Sequence, residues 1–172
     1  LGQGEYAGAA RMLLLQRSRE PDAAVRRQLF LQALRTLQSG NLLDLALATA
    51  EREIGELASD TEVLYYLVTL ARAANRPDTA ARYAKQMLKL SLQQQWRRAM
   101  LAQAGFDAQP RRVATGAGPA LPFDDKIYTL GYEAFIGNRQ LEDARQVAAS
   151  AVRQAPDDMK WRERLATVSE WA

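Results

Sequence analysis

A chain of 172 residues with 48% hydrophobic residues is long enough to bury a substantial core. It contains neither cysteine nor histidine, which removes disulfides, thiolate chemistry and the commonest general base and metal ligand, and so argues against an enzyme, a metal site or a cofactor. Its 23 basic and 20 acidic residues are interleaved to a net charge of +3, which excludes the basic stripe expected of a nucleic-acid binder.

No apolar run reaches the length of a membrane span, and Leu1-Gly2-Gln3-Gly4 does not form a signal peptide. The first predicted element runs through Ala9, Ala10, Met12, Leu13 and Leu14 and closes near Pro21. Residues 1–22 read as the second helix of a helical pair, with Ala9 and Leu13 in the places that Ala80 and Ala84 hold in a clearer copy downstream. Proline cannot continue a helix, so Pro21 suits the turn between units.

Residues 27–60 supply a whole pair: a helix at 24–38, a turn at Ser39-Gly40-Asn41 and a second helix at 43–57. Gly40 and Asn41 suit a turn that needs positive φ. The pair is then repeated. Asn41, Asp44, Ala46 and Ala50 recur 34 residues on as Asn75, Asp78, Ala80 and Ala84. The apolar positions move with them, Phe30, Ala33, Leu34, Leu37 and Ile54 becoming Leu64, Leu67, Val68, Ala71 and Leu88, and their spacing of three and four puts them on one helical face. Asp44 and Asp78 fall in first turns, where a carboxylate meets exposed amides and the positive end of the helix dipole. In the second copy, residues 61–94, Pro77 occupies the first turn of a helix, where its missing N–H costs little.

The row Ala84, Leu88, Leu92, Trp96 and Met100 predicts that this helix continues past the repeat boundary to about Gln103, with the row forming a core or interhelical stripe. From 105 to 123 three prolines and three glycines without periodicity predict a long irregular loop. Within it Arg111 and Arg112 could meet an acidic partner, whereas Gly116-Ala117-Gly118 lacks the context of a phosphate loop. The phase returns at 125–158, with Tyr128, Gly131, Tyr132 and Phe135 on one helix and Ala144, Ala148, Val152 and Pro156 marking the next. The pairs Asp124-Asp125, Glu142-Asp143 and Asp157-Asp158 lie near helix starts and read as caps, since adjacent residues do not face each other on a helix. Residues 159–172, with Trp161, Leu165, Val168 and Trp171, form a lone first helix.

The 34-residue, two-helix period with small residues on the second helix resembles the tetratricopeptide repeat. The resemblance implies an all-α chain in the form of a superhelical solenoid of antiparallel helix pairs, 1–172 being one fragment. It would comprise half repeats at 1–22 and 159–172, whole repeats at 27–60, 61–94 and 125–158, and the extended helix and loop at 95–124. Leu34 and Val68 depart from the pattern, standing where a small residue is common, and only Pro21 and Pro156 match its closing proline.

A narrower resemblance is carried by the segment 161–172, Trp-Arg-Glu-Arg-Leu-Ala-Thr-Val-Ser-Glu-Trp-Ala, and by the Arg- and Ala-rich helices before it. It is similar to the periplasmic repeat region of the PelB family of Pel exopolysaccharide outer-membrane export proteins. That resemblance implies a periplasmic scaffold, part of an outer-membrane protein, which recruits a polymer-modifying deacetylase/hydrolase and guides polysaccharide to the export pore. Direct polysaccharide contact would be a further possibility of the same reading.

A stacked solenoid lines its concave face with first helices. The residues opposite the packed rows are Gln28, Leu31, Arg35, Tyr65, Thr69, Arg72, Thr129, Glu133, Glu163 and Thr167, a mixed polar surface suited to a protein partner. It lacks the repeated Lys and Asn positions that clamp a terminal carboxylate in chaperone-binding relatives. Two alternatives stand beside the export scaffold: a general peptide-binding adaptor, and a hydrolase or lyase relying on carboxylates such as Glu133 or Glu163.

Overall fold

The computed structural model describes residues 2–104 and 124–172, and among them every regular element is helical. The expected irregular loop at 105–123, with Arg111 and Arg112, lies outside the described residues. The chain divides into two compact units, Leu1–Tyr83 and Ala84–Ala172.

The first unit contains α1 (Gln3–Arg19), α2 (Ala23–Ser39), α3 (Leu43–Glu53), a 3₁₀ turn (Gly55–Ser59), α4 (Thr61–Ala73) and the start of α5 (Pro77–Ala104). Helix α1 packs on α2, α2 on α3 and α3 on α4. The core follows the periodic rows: Phe30, Ala33, Leu34, Leu37, Ala46, Ala50, Leu64, Leu67, Val68, Ala71 and Ala80 are almost wholly buried. Alanine rather than a larger residue at 46, 50 and 80 lets the second helix of each pair approach the first closely.

Turn chemistry explains why the helices reverse where they do. Asn41 has φ 58° and Asn75 has φ 57°, the left-handed conformation that asparagine adopts more readily than most residues. A backbone bond then closes over each reversal, from Leu42 N to Leu37 O at 2.8 Å and from Arg76 N to Ala71 O at 2.9 Å, satisfying carbonyls that a helix C-terminus otherwise leaves open. Gly40, in contrast, has φ −84° and needs no special backbone freedom. It is needed for space, because a Cβ there would lie 2.7–2.8 Å from Cδ2, Cγ and Cβ of Tyr6 on α1.

The second helix of the first pair ends earlier than expected, at Glu53, and the chain passes through left-handed Gly55 into the 3₁₀ turn. Arg17 of α1 sits at this break. Its Nη1 donates to the Glu53 carbonyl at 2.6 Å, its guanidinium lies 5.1 Å over the ring of Phe30, and its Nε is buried with no hydrogen-bond partner among the described residues. The α1 register also differs by one residue from expectation: Ala10 is the buried alanine and Ala9 is exposed.

The second unit contains the rest of α5, α6 (Asp125–Gly137), α7 (Leu141–Gln154) and α8 (Met159–Trp171). Helix α6 packs on α7 and α7 on α8. The α6–α7 reversal repeats the geometry of the first two, with Arg139 at φ 59° and Gln140 N bonded to Phe135 O at 2.9 Å. Gly131 admits α5 closely, since a Cβ there would come 2.6 Å from Leu88 Cδ1. Trp161 of α8 is 0% exposed, stands edge-on to Tyr128 and Tyr132 with centroids 6.5 and 5.9 Å away, and donates from Nε1 to Asp125 Oδ1 at 2.7 Å.

The stripe expected along α5 leaves the core. Ala84 is fully buried, but Leu92 is 45%, Trp96 64% and Met100 65% exposed. Four residues advance about 400° around a helix of 3.6 residues per turn, so each step turns the row by about 40°. Four such steps carry it most of the way to the opposite side, and a row that begins in a core therefore ends in solvent on a long helix.

Candidate interaction surface

Each first helix of a pair starts from an aspartate. Asp22, Asp60, Asp124 and Asp158 cap α2, α4, α6 and α8, their side chains accepting from backbone amides of the first turn. The second helices α3 and α7 have no side-chain cap and instead carry Asp44, or Glu142 and Asp143, in the first turn, as α5 carries Asp78. The acidic pairs at 124–125, 142–143 and 157–158 are thus accounted for by helix starts, with Asp125 engaged by Trp161.

In the first unit the α2–α4 surface carries Gln28, Leu31 and Arg35 from α2 and Tyr65, Thr69 and Arg72 from α4. Gln28, Arg35 and Arg72 are exposed; Leu31, Tyr65 and Thr69 are half-buried. The contact that joins the two helices here uses a neighbour of the expected set. Arg35 lies 5.6 Å over the ring of Tyr66, whose hydroxyl donates to Gln38 Oε1 at 2.7 Å. Burial pushes the Tyr66 phenol above its ordinary range, and the Arg35 charge partly offsets this. Thr69 turns inward on its own helix, its hydroxyl donating to the Tyr66 carbonyl at 2.6 Å. Tyr66 escapes sequence reasoning because it lies one position from the selected Tyr65, and Gln38 because it lies one turn beyond Arg35, where the selected row stops; only the rotational setting of α2 against α4 reveals them.

The edge of this surface is tied by Arg27, which donates from Nε to Asp60 Oδ2 at 2.7 Å and from Nη2 to Glu62. The Glu62 hydrogen bond, with Asp60 beside it, holds the guanidinium above its usual range. Arg76, just before α5, pairs with Asp44 of α3 at 3.1 Å, and Arg82 of α5 pairs with Glu51 of α3. These ion pairs are largely exposed and add little stability each.

In the second unit Thr129 and Glu133 lie on α6, and Glu163 and Thr167 on α8. Thr129 is half-buried and the other three are exposed. Arg164 organises this surface. Its Nη1 donates to Thr129 Oγ1 at 3.2 Å, and its guanidinium lies 4.5 Å over Trp161 and 5.7 Å over Tyr132. The Tyr132 hydroxyl reaches the Arg164 carbonyl at 3.4 Å, and burial raises its phenol. Arg164 is a residue that the sequence does not single out, being one of many arginines; only the aromatic neighbours mark it. Each unit thus presents an arginine laid on a tyrosine between two first helices, a surface of cationic and aromatic groups.

Among the described residues no cluster of three or more acidic, cysteine or histidine side chains is placed to hold a metal, and no helix is long and apolar enough to cross a membrane.

No protein-family model matches this chain, and no curated protein matches it. A solved structure described as "MamA RS-1 ArsTM double mutant" is 23% identical, over 93% of this chain and 83% of that one, with a TM-score of 0.25. At that score the likeness carries no argument about fold or function. The all-helical architecture therefore rests on the structure itself.

Proposed function

We propose that this chain is a tetratricopeptide-repeat scaffold that binds a folded protein partner. The observation that carries the proposal is the sameness of its three hairpin reversals. At Asn41, Asn75 and Arg139 one left-handed residue is followed by a backbone bond five residues back, and behind each turn two small residues of the second helix are fully buried, Ala46 and Ala50, Ala80 and Ala84, Ala144 and Ala148. Repeated hairpins with one turn geometry and an alanine seam are the ingredients of a solenoid, in which first helices form an inner wall.

The narrower reading follows the resemblance of residues 161–172 and of the Arg- and Ala-rich helices. On it the chain is the periplasmic repeat region of a Pel exopolysaccharide outer-membrane export protein, recruiting a polysaccharide deacetylase/hydrolase. The test is direct binding of the full chain to a purified periplasmic deacetylase/hydrolase of a Pel system, followed by biolayer interferometry. Arg35→Glu and Arg164→Glu are expected to weaken the complex by about tenfold or more, as loss of an interface arginine at a hot spot does. Absence of binding by the unaltered chain would remove the export reading. Binding of free C-terminal peptides without the enzyme would favour the general adaptor.

A further inference from the structure

Outside the surface described above, the second unit holds a groove of about 240 Å³ formed by α5, α6 and α7. Its apolar lining is Leu88 and Leu92 of α5, Phe135 of α6 and Val147 of α7. Lys85 and Lys89, one helical turn apart, form the α5 rim; both are exposed, and neither makes a hydrogen bond or ion pair among the described residues. The apolar row continues beyond the groove as exposed Trp96 and Met100.

We infer that this groove docks an acidic amphipathic helix of a partner protein, with leucine-sized side chains entering between α5 and α7 and carboxylates meeting Lys85 and Lys89. The size argues for this occupant, because the space takes one or two side chains and is smaller than the pockets that enclose small molecules. An exposed apolar ridge running on from the groove matches the length of a helix rather than that of a compact ligand. Charge decides its sign. Two ammonium groups with no partner among the described residues bound one side, and the opposite rim carries one carboxylate among the lining residues, Asp143, already accepting from Gln140 Nε2 at 2.9 Å. Asp143 therefore orients the ligand, disfavouring carboxylates on the α7 side and leaving them to the α5 side.

The probe is a fluorescein-labelled synthetic helix with leucines along one face and glutamates on the other, and a second helix in which lysines replace the glutamates. Anisotropy with the full chain is expected to show binding of the glutamate helix alone, weakening with salt. The double variant Lys85→Glu/Lys89→Glu should lose about tenfold or more in affinity, and Leu92→Glu should lose it too. Arg35→Glu, on the other unit, should leave it unchanged. In acetylation footprinting the glutamate helix should protect Lys85 and Lys89 while Lys160 stays reactive. No binding at high micromolar concentration, equal binding of both helices, or weakening by Arg35→Glu as large as by the lysine reversals would each overturn the inference.

Discussion

Trp161 is the side chain on which the second unit turns, and its replacement offers the sharpest test of the packing. Truncating a buried tryptophan to alanine costs about 3–5 kcal/mol in general. Here Trp161→Ala also removes two edge-to-face contacts, each worth about 0.5–1.5 kcal/mol, and the bond to Asp125, so the upper part of that range is expected. Trp161→Phe separates the contributions. It keeps most of the apolar area but removes the Nε1 donor at 2.7 Å from Asp125 Oδ1, and a hydrogen bond to a charged group is worth about 1.5–3 kcal/mol. Asp125 is half-buried, so a loss toward the lower end, about 1.5 kcal/mol, is expected. Urea unfolding followed by far-UV circular dichroism measures both, with an unchanged m value as the check on a common unfolded state. Fluorescence gives a second readout, because Trp161 is fully buried whereas Trp96 and Trp171 are 64% and 56% exposed; Trp161→Phe should abolish most of the blue-shifted emission. A cycle with Asp125→Ala should show coupling of about 1 kcal/mol or more. Additive effects, or a Trp161→Phe chain within about 0.5 kcal/mol of the parent, would refute the assigned bond.

Gly40→Ala should destabilise by about 1–3 kcal/mol through overpacking, because the new methyl meets three Tyr6 atoms, and Tyr6→Ala should restore part of the loss in a combined variant; thermal melts of the four chains decide it. Arg139→Gly should raise stability by up to about 1 kcal/mol, since a side chain other than glycine or asparagine bears a cost in the left-handed region, and a lowered melting temperature would contradict the turn geometry. The Glu142 carboxyl, hydrogen-bonded by Arg145, is held down to about 2 from an ordinary 4.5. Its contribution is therefore fully present above about pH 4.5 and fades as pH falls through about 2. Carboxyl NMR titration should find that midpoint near 2 and find it moved toward 4.5 in Arg145→Ala.

The elements that could be read from the sequence are those fixed by local chemistry. The 34-residue recurrence of Asn41 as Asn75 placed two of the reversals, and the structure gives both asparagines the same left-handed backbone. Arg139 makes the third, yet arginine carries no turn signature, so only the phase of Tyr128 and Ala144 around it pointed there. Gly40 was visible as a turn glycine for the wrong reason, because its neighbour Tyr6 comes from a helix more than thirty residues earlier. The early end of α3 at Glu53 depends likewise on Arg17, supplied from α1. On the candidate surface, periodicity could choose a row of each helix but not the angle at which two helices meet. The pairing of Arg35 with Tyr66, and that of Arg164 with Thr129, Tyr132 and Trp161, are consequences of that angle.

The aspartates show how a chain with small local preferences is driven toward one packing. Asp60 accepts the Glu62 and Val63 amides on Oδ1 at 3.0 and 3.1 Å and Arg27 on Oδ2 at 2.7 Å. One carboxylate therefore starts α4 and fixes it against α2, and starting the helix presents the second oxygen to the arginine. In the second unit the same two tasks fall to adjacent residues: Asp124 caps α6 through the Ile127 amide at 3.2 Å, and Asp125 receives the Trp161 indole from α8. A helix start and a contact with a neighbouring first helix, the preceding one for α4 and the following one for α6, are thus coupled in both units, by one residue in the first and by two neighbours in the second. Short helices are marginal alone because nucleation is unfavourable. Tying each nucleus to a partner helix lets the neighbour stabilise the turn on which its own docking depends, and that favours consecutive helix pairs forming together over any of them forming singly.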